Sequence, residues 1–140
     1  MSVTLDVPAL LGEHGLPRHS PALLIEEAGD SVTVAAYRAL RTRVFVQEQG
    51  LFEGHDGDQR DEDPRTAVLV ARDPSGSVIG GVRLGPVDDG PDIGWWVGGR
   101  LAVDPAARGL RGVGAALVRA ACARAESAGA LRFEATVQAR

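Results

Sequence analysis

The chain has no lysine, no asparagine and a single cysteine among its 140 residues. Each shortage excludes something. Without lysine the phosphate-binding pattern GxxxxGK[ST] cannot occur, and all positive side-chain charge rests on 15 arginines. The lone Cys122 can form neither an internal disulfide nor a multi-cysteine metal cage, so a reducing cytoplasm is the expected compartment. No apolar run approaches the roughly 18 residues of a transmembrane span. The opening MSVTLDVPALLGEHG lacks the basic start and long apolar core of a secretion signal. Basic runs are also missing, and the net charge is -4. Binding to nucleic acid by phosphate neutralisation is therefore not expected, and neither is a membrane partner.

What is present is ordinary for one folded domain, with 44% hydrophobic and 24% charged residues. Alanine, glycine and arginine supply 21, 18 and 15 residues. With no lysine or asparagine, that bias points to a GC-rich, bacterial gene.

Residues 1–20 hold Pro8, Gly12, Gly15 and Pro17 with little periodicity and read as an irregular arm, followed by a single domain over 21–140. Leu23 to Ile25 is a short strand. Asp30 caps a helix from Ser31 to about Glu48, with Val32, Ala36, Leu40 and Val44 as its apolar stripe, Tyr37 beside them, and Arg38 and Arg41 on other faces. EGHDGDQRDED (53–63) is a polar loop with six carboxylates. Strands follow at 66–72, 78–84 and 93–103, separated by turns. An alanine-rich helix runs from about Arg111 to Ala128, with a stripe of Val113, Leu117, Ala120 and Ala121, and Gly129 closes it. Residues 131–138 alternate as a half-buried strand. The fold class is α/β, a mixed and mostly antiparallel sheet flanked by helices. The strand–helix–strand end implies a parallel crossover.

The junction RLAVDPAARGLRGVGAALVRA (100–120) carries the most chemistry. A strand ends at Val103, a loop rich in glycine and arginine follows, and a helix opens near Gly112. Glycines 109, 112 and 114 let the backbone approach a ligand closely. The first N–H groups of a helix lack internal partners and favour anions. Arg108 and Arg111 add full charges. A phosphate or pyrophosphate site is one reading; a glycine-rich turn that packs helix on sheet is the other. GxGxxG fails, because position 117 is leucine.

RLAV, the glycine loop and the alanine- and leucine-rich helix resemble the GNAT superfamily of acyl-CoA-dependent N-acetyltransferases. YRALRTRVFVQEQ (37–49), followed by an acidic loop and AVLV, strengthens the likeness. VFVQEQGLFEG paired with WWVGGRLAVDP is especially similar to the nitrogen-starvation-associated bacterial members. The resemblance covers about 22–138 and implies acetyl-CoA as co-substrate, without a metal. The backbone of Leu101, Ala102 and Val103 would pair with the pantetheine arm. The amides of Gly109 to Ala115, including Gly112, Val113 and Gly114, would hold the pyrophosphate with Arg108 or Arg111. The thioester would lie near Thr136 to Gln138, its carbonyl polarised by a backbone N–H such as that of Val103. The family pattern Q/R-x-x-G-x-G/A is met at both glycines, but its first position falls on Gly109, with Arg108 one residue early. The family fold continues beyond the strand at 131–138. The chain thus reads as truncated after the fifth strand, which leaves a bare edge for a second copy or a completing chain.

The reaction needs a base for the amine and a proton for the departing thiolate. Residues 93–100 hold no carboxylate. Glu48 is the preferred base; Asp61, Asp63, His55 and Glu134 are the other candidates. Family members often use a late tyrosine as the acid, but the only tyrosine here is Tyr37. The acidic loop reads either as a solvated surface or as a negative funnel for a cationic amine; its spacing departs from a calcium loop at Arg60 and Asp61. Trp95 and Trp96 face opposite ways, one into the core and one free to wall a pocket. Cys122 is a small core residue. Acetyl transfer to a small amine is the leading function. The alternatives are a non-catalytic acyl-CoA-binding module and an acyl-homoserine-lactone-synthase-like acyltransferase.

Overall fold

A computed structural model describes residues 2–5, 23–48, 50, 57–108 and 112–136, with the side chains of 2–5 and 48 left undescribed. Strands β1 (Ser2–Leu5), β2 (Leu24–Glu27), β3 (Ala67–Arg72), β4 (Val78–Pro86), β5 (Trp95–Val103) and β6 (Arg132–Thr136) form one sheet. Their order is β1-β6-β5-β4-β3-β2. The pair β5–β6 is parallel and every other pair is antiparallel. This is the mixed sheet expected from the sequence, with one strand more. That strand is β1, inside the expected irregular arm. It pairs Ser2 with Thr136 through Leu5 with Phe133. The edge of β6 expected to be bare is thus occupied by the chain's own β1. A four-residue strand held by non-local pairing leaves little periodic signal.

Two helices cover opposite faces. A Cβ built on Gly80 would meet Leu117 and Val113, whereas one on Gly81 would meet the ring of Tyr37. Neighbouring strand residues point to opposite faces, so α1 (Ser31–Thr42) lies under one face and α2 (Val113–Ser127) over the other. Asp30 caps α1 by accepting from the Thr33 N–H at 2.6 Å. The helix turns π-helical over Arg43–Glu48, where the β-branched VFV run lies.

The face α1 buries is rotated from the expected stripe. Thr33, Tyr37, Leu40 and Arg41 are buried, while Val32 is 78% exposed. Gly81 provides the reason, since its missing side chain leaves the space that the Tyr37 ring fills. Arg41 lies above that ring at 5.4 Å. The α2 face matches expectation: Val113, Leu117, Ala121, Cys122 and Ala125 are buried against Ile79, Val82, Leu84, Trp96 and Phe133, with Ala120 at the margin.

Candidate active site

The pairing of β5 with β6 runs from Trp95↔Arg132 to Gly98↔Ala135. Beyond Gly98, no described strand pairs with β5 on that side. On its other side β5 stays on β4, with a register shift between Gly81 and Arg83. Gly81 faces Ala102 and Arg83 faces Gly99, so Arg100 and Leu101 oppose Val82 alone. That is a β-bulge. Arg100 sits in it at φ 51°, a left-handed value rare for a residue with a side chain. The Tyr37 hydroxyl donates to the Arg100 carbonyl at 2.8 Å. The peptide is planar and trans, so the Leu101 N–H must point away from Tyr37. Further along, the Asp104 N–H donates to Ile79 on β4. Strand alternation then turns the amides of Leu101 and Val103 to the side away from β4.

A cleft of about 270 Å³ lies at this bulge, lined by Phe45, Asp58, Arg60, Arg83, Gly99, Arg100 and Thr136 among others. It occupies the α1 face, the side to which Arg83 and Gly99 point. A Cβ on Gly99 would meet nothing within 4 Å, so glycine keeps the cleft floor open. The bulge matters for polarity too, because the extra residue brings the Arg100 side chain round to Asp58, 3.4 Å away.

The described part of the acidic loop contributes Asp58 and Arg60 to the wall of this cleft, and three of its carboxylates are held by arginines. Asp61 accepts from Arg41 at 2.8 and 2.7 Å and from Arg83 at 2.9 Å. Asp58 takes both Nη atoms of Arg83 at 2.6 Å. Asp63 pairs with Arg65. Arg60 donates to the carbonyls of Pro86 and Val87 at 2.9 and 2.6 Å. Burial pushes the Asp61 carboxyl up, but the hydrogen bonds and charges of Arg41 and Arg83 outweigh it and hold it well below the usual carboxylate range. Asp58 is shifted the same way, by Arg83 against burial. The hydrogen bonds of Arg65 hold Asp63 at about 2. These three carboxylates are therefore fixed anions in ion pairs, which removes Asp61 and Asp63 as bases.

Other expected residues fall as follows. Glu48 ends the π-helical segment whose Phe45 lines the cleft. Glu134 stands outside the cleft lining, 3.7 Å from Arg132. His55, Gly109, Arg111 and Gln138 lie outside the described residues. Tyr37 is fully buried and its hydroxyl is pushed up by that burial; it supports the bulge and does not serve as an acid. Trp96 enters the core, while Trp95 carries the Arg132 guanidinium at 4.4 Å in place of walling the cleft. Arg83 and Asp58 were not singled out from the sequence, and Arg41, expected on another face of its helix than the apolar stripe, is buried. An arginine inside the apolar run VIGGVRL was the available signal, because a charge buried in a central strand needs a partner.

At the far end of the open β5 edge, the chain turns at Asp104 and a short 3-10 turn, Pro105–Ala107. Helix α2 then starts from Gly112, at φ 82° in the left-handed region that glycine adopts freely. No side chain caps this start, so the amides of Val113, Gly114 and Ala115 have no intrahelical acceptor. A Cβ on Gly112 would meet open space, and one on Gly114 would lie 4.0 Å from Leu101 and Val103. Arg108 is exposed beside this turn.

The family model described as Acetyltransferase (GNAT) family matches residues 33–140. Among solved structures, a GCN5-related N-acetyltransferase from Kribbella flavida is 29% identical, with 79% of this chain and 69% of that chain covered at a TM-score of 0.57. A GNAT family acetyltransferase from Brucella melitensis, solved in complex with acetyl-CoA, is 23% identical over 84% of this chain and 77% of that one, with a TM-score of 0.62. An aminoglycoside acetyltransferase from an uncultured soil metagenomic sample, in complex with trehalose, is 21% identical over 86% of this chain and 79% of that one, also at 0.62. The last two likenesses concern the fold. No curated protein matches the chain. No helix among the described residues is long and apolar enough to cross a membrane.

Proposed function

The chain belongs to the acetyltransferase (GNAT) family, and from that premise we propose that it moves an acetyl group from acetyl-CoA to the amine of a small molecule. The observation that carries this reading is the edge of β5 beyond Gly98, which no described strand covers. It runs from the cleft at Gly99 to the uncapped start of α2, and along it the amides of Leu101 and Val103 face outward. An extended pantetheine arm fits such an edge as an added strand, held by main-chain hydrogen bonds. The amides of Gly112 to Ala115 suit the pyrophosphate, where unpaired N–H groups and the helix dipole favour negative charge. Arg108, exposed shortly before that helix in the chain, adds positive charge, and Gly109 and Arg111, outside the described residues, belong to the same proposal by their place in the sequence. An outward N–H beside the bulge, that of Leu101 or Val103, polarises the thioester carbonyl as charge develops on its oxygen.

The acceptor amine enters from the α1 face, through the cleft. Glu48 is our candidate for the base that takes the amine proton, supported by its place at the end of the segment that lines the cleft. Loss of one proton exposes the nitrogen lone pair, the new N–C bond forms, the nitrogen sheds its second proton to solvent, and the C–S bond breaks to release a thiolate that solvent protonates.

Calorimetry with acetyl-CoA tests this reading. Saturable binding is expected, and Ala115→Glu should weaken it by at least about tenfold, roughly 1.4 kcal/mol. Ala115 is exposed at the third helical position, where a glutamate stabilises a helix by about 0.3–1 kcal/mol while repelling phosphate. Weaker binding together with an unchanged or higher melting temperature isolates the pyrophosphate contact. Absence of any binding to folded wild type would remove the reading.

A further inference from the structure

We infer that Gly99 is a specificity-determining residue of the cleft, and that the acceptor is branched at the carbon bearing its amine, with the branch lying on the bare main chain of Gly99. This rests on the acetyl-transfer reading for what happens to the amine, whereas the openness of the floor at Gly99 stands on packing alone.

Five glycines lie in β4 and β5, and four of them are crowded by a neighbour. A Cβ on Gly80 would lie 3.0 Å from Leu117, one on Gly85 3.3 Å from Thr66 and one on Gly98 2.7 Å from Phe133, while one on Gly81 would strike the Tyr37 ring. Gly99 is the exception. A Cβ there would meet nothing within 4 Å, and its φ lies outside the left-handed region that favours glycine. Neither crowding nor backbone conformation calls for glycine at this position. Glycine in a strand interior costs stability relative to a residue with a side chain, and close approach of a ligand is a reason for a strand to carry one.

The place of Gly99 says which part of the acceptor comes there. It lies on the α1 face, in register with Arg83, and lines the cleft with Phe45, Val97 and Thr136. The Arg83 side chain leads off to Asp58 and Asp61, and the space above Gly99 stays clear of it. Strand β6 stops pairing with β5 at Gly98, and the outward N–H of Leu101 lies just past Gly99 on the uncovered edge. Gly99 is therefore beside the point where the thioester and the amine meet in the acetyl-transfer reading, and the acceptor atoms over it are those bonded closest to nitrogen. An unbranched CH2–NH2 end needs little width there. A second carbon substituent on that atom needs the room that the missing side chain leaves, and Phe45 and Val97 give it an apolar lining.

The experiment uses the full chain as wild type, Gly99→Ala and Gly99→Val. Coenzyme A joined through its sulfur to CH2–CO–NH–R, with R either isopropyl or n-propyl, is titrated by calorimetry beside coenzyme A itself. The two conjugates are isomers that differ only in branching. Wild type should bind the isopropyl conjugate at least as tightly as the n-propyl one. Gly99→Ala and then Gly99→Val should weaken the isopropyl conjugate progressively, by at least about tenfold for valine, and the n-propyl conjugate several-fold less, with the affinity for coenzyme A unchanged. Both variants should melt at the wild-type temperature or above it. Thiol release from acetyl-CoA with isopropylamine and n-propylamine should follow the same order in kcat/KM. Equal loss of both conjugates together with a lower melting temperature would make Gly99 a structural residue and overturn the inference, as would full retention of isopropyl binding in Gly99→Val. Tighter binding of the n-propyl conjugate by wild type would overturn the branching. If the conjugates discriminate as expected but neither amine is acetylated, the role of Gly99 stands and the acetyl-transfer reading to such amines is removed. If both amines are acetylated and the variants do not discriminate between them, that reading stands and the inference falls; if wild type binds neither conjugate nor coenzyme A, both fall.

Discussion

Replacing Asp61 with asparagine tests how the cleft is held together. Asp61 is 9% exposed at its side chain and receives hydrogen bonds from Arg41, at 2%, and Arg83, at 5%. The substitution keeps the shape but removes the charge that two buried guanidiniums share. Breaking one partner of a buried pair costs about 3–5 kcal/mol, because the remaining charge is left uncompensated. Asparagine retains one acceptor oxygen, and Asp58 still serves Arg83, so the lower end, about 3 kcal/mol, is expected. For a chain of this size that corresponds to a fall in Tm of roughly 9–12 °C. Urea unfolding at pH 7 should move the midpoint and leave the slope unchanged. The pH dependence gives an independent check. The folded Asp61 has its carboxyl pKa depressed, so its contribution is present above the unfolded value of about 3.9 and is lost as pH falls toward the folded one. Wild type and Asp61→Asn should therefore differ most at neutral pH and converge in acid. A loss below about 1 kcal/mol, or a gap that persists undiminished at acid pH, would refute the claim that this carboxylate is what makes two buried arginines tolerable.

Three further outcomes are expected. Tyr37→Phe keeps the ring over Gly81 but removes the bond to the Arg100 carbonyl; stability should fall by about 1 kcal/mol, and kcat should fall more than KM for acetyl-CoA rises, as steady-state kinetics would show. Gly98→Ala puts a Cβ 2.7 Å from Phe133 Cζ in the core, so a denaturation curve should show a loss of about 1–3 kcal/mol. Cys122 is fully buried, and burial pushes its thiol up to about 11; a thiol-reactive dye should label it only at the rate of unfolding, and rapid labelling of the folded protein would contradict its place in the core.

What could be read from the sequence was whatever repeats locally. The three middle strands, the α2 stripe and the glycine start of that helix all follow from periodicity and residue type within a short window. Contacts between distant segments were not legible. The α1 face was misjudged because its anchors are a tyrosine fitted over Gly81 on β4 and an arginine bonded to Asp61, 20 residues away. Strand β1 is fixed by β6 at the other end of the chain. The acidic loop left two readings open, solvated surface or negative funnel, because the arginines that pair with its Asp58 and Asp61 come from α1, β4 and β5.

Among the described residues the cations lining the cleft are guanidiniums, and a guanidinium holds its proton at every pH an enzyme meets. Asp58 and Asp61, both shifted downward, hold their negative charge across the same range. The described charges of the cleft wall are thus an electrostatic constant between mild acid and strong alkali. A limb that rises with pH in a rate profile would then report protons leaving the incoming ammonium or the base that takes them, and repeating a buffer series with acceptors of different basicity would separate the two.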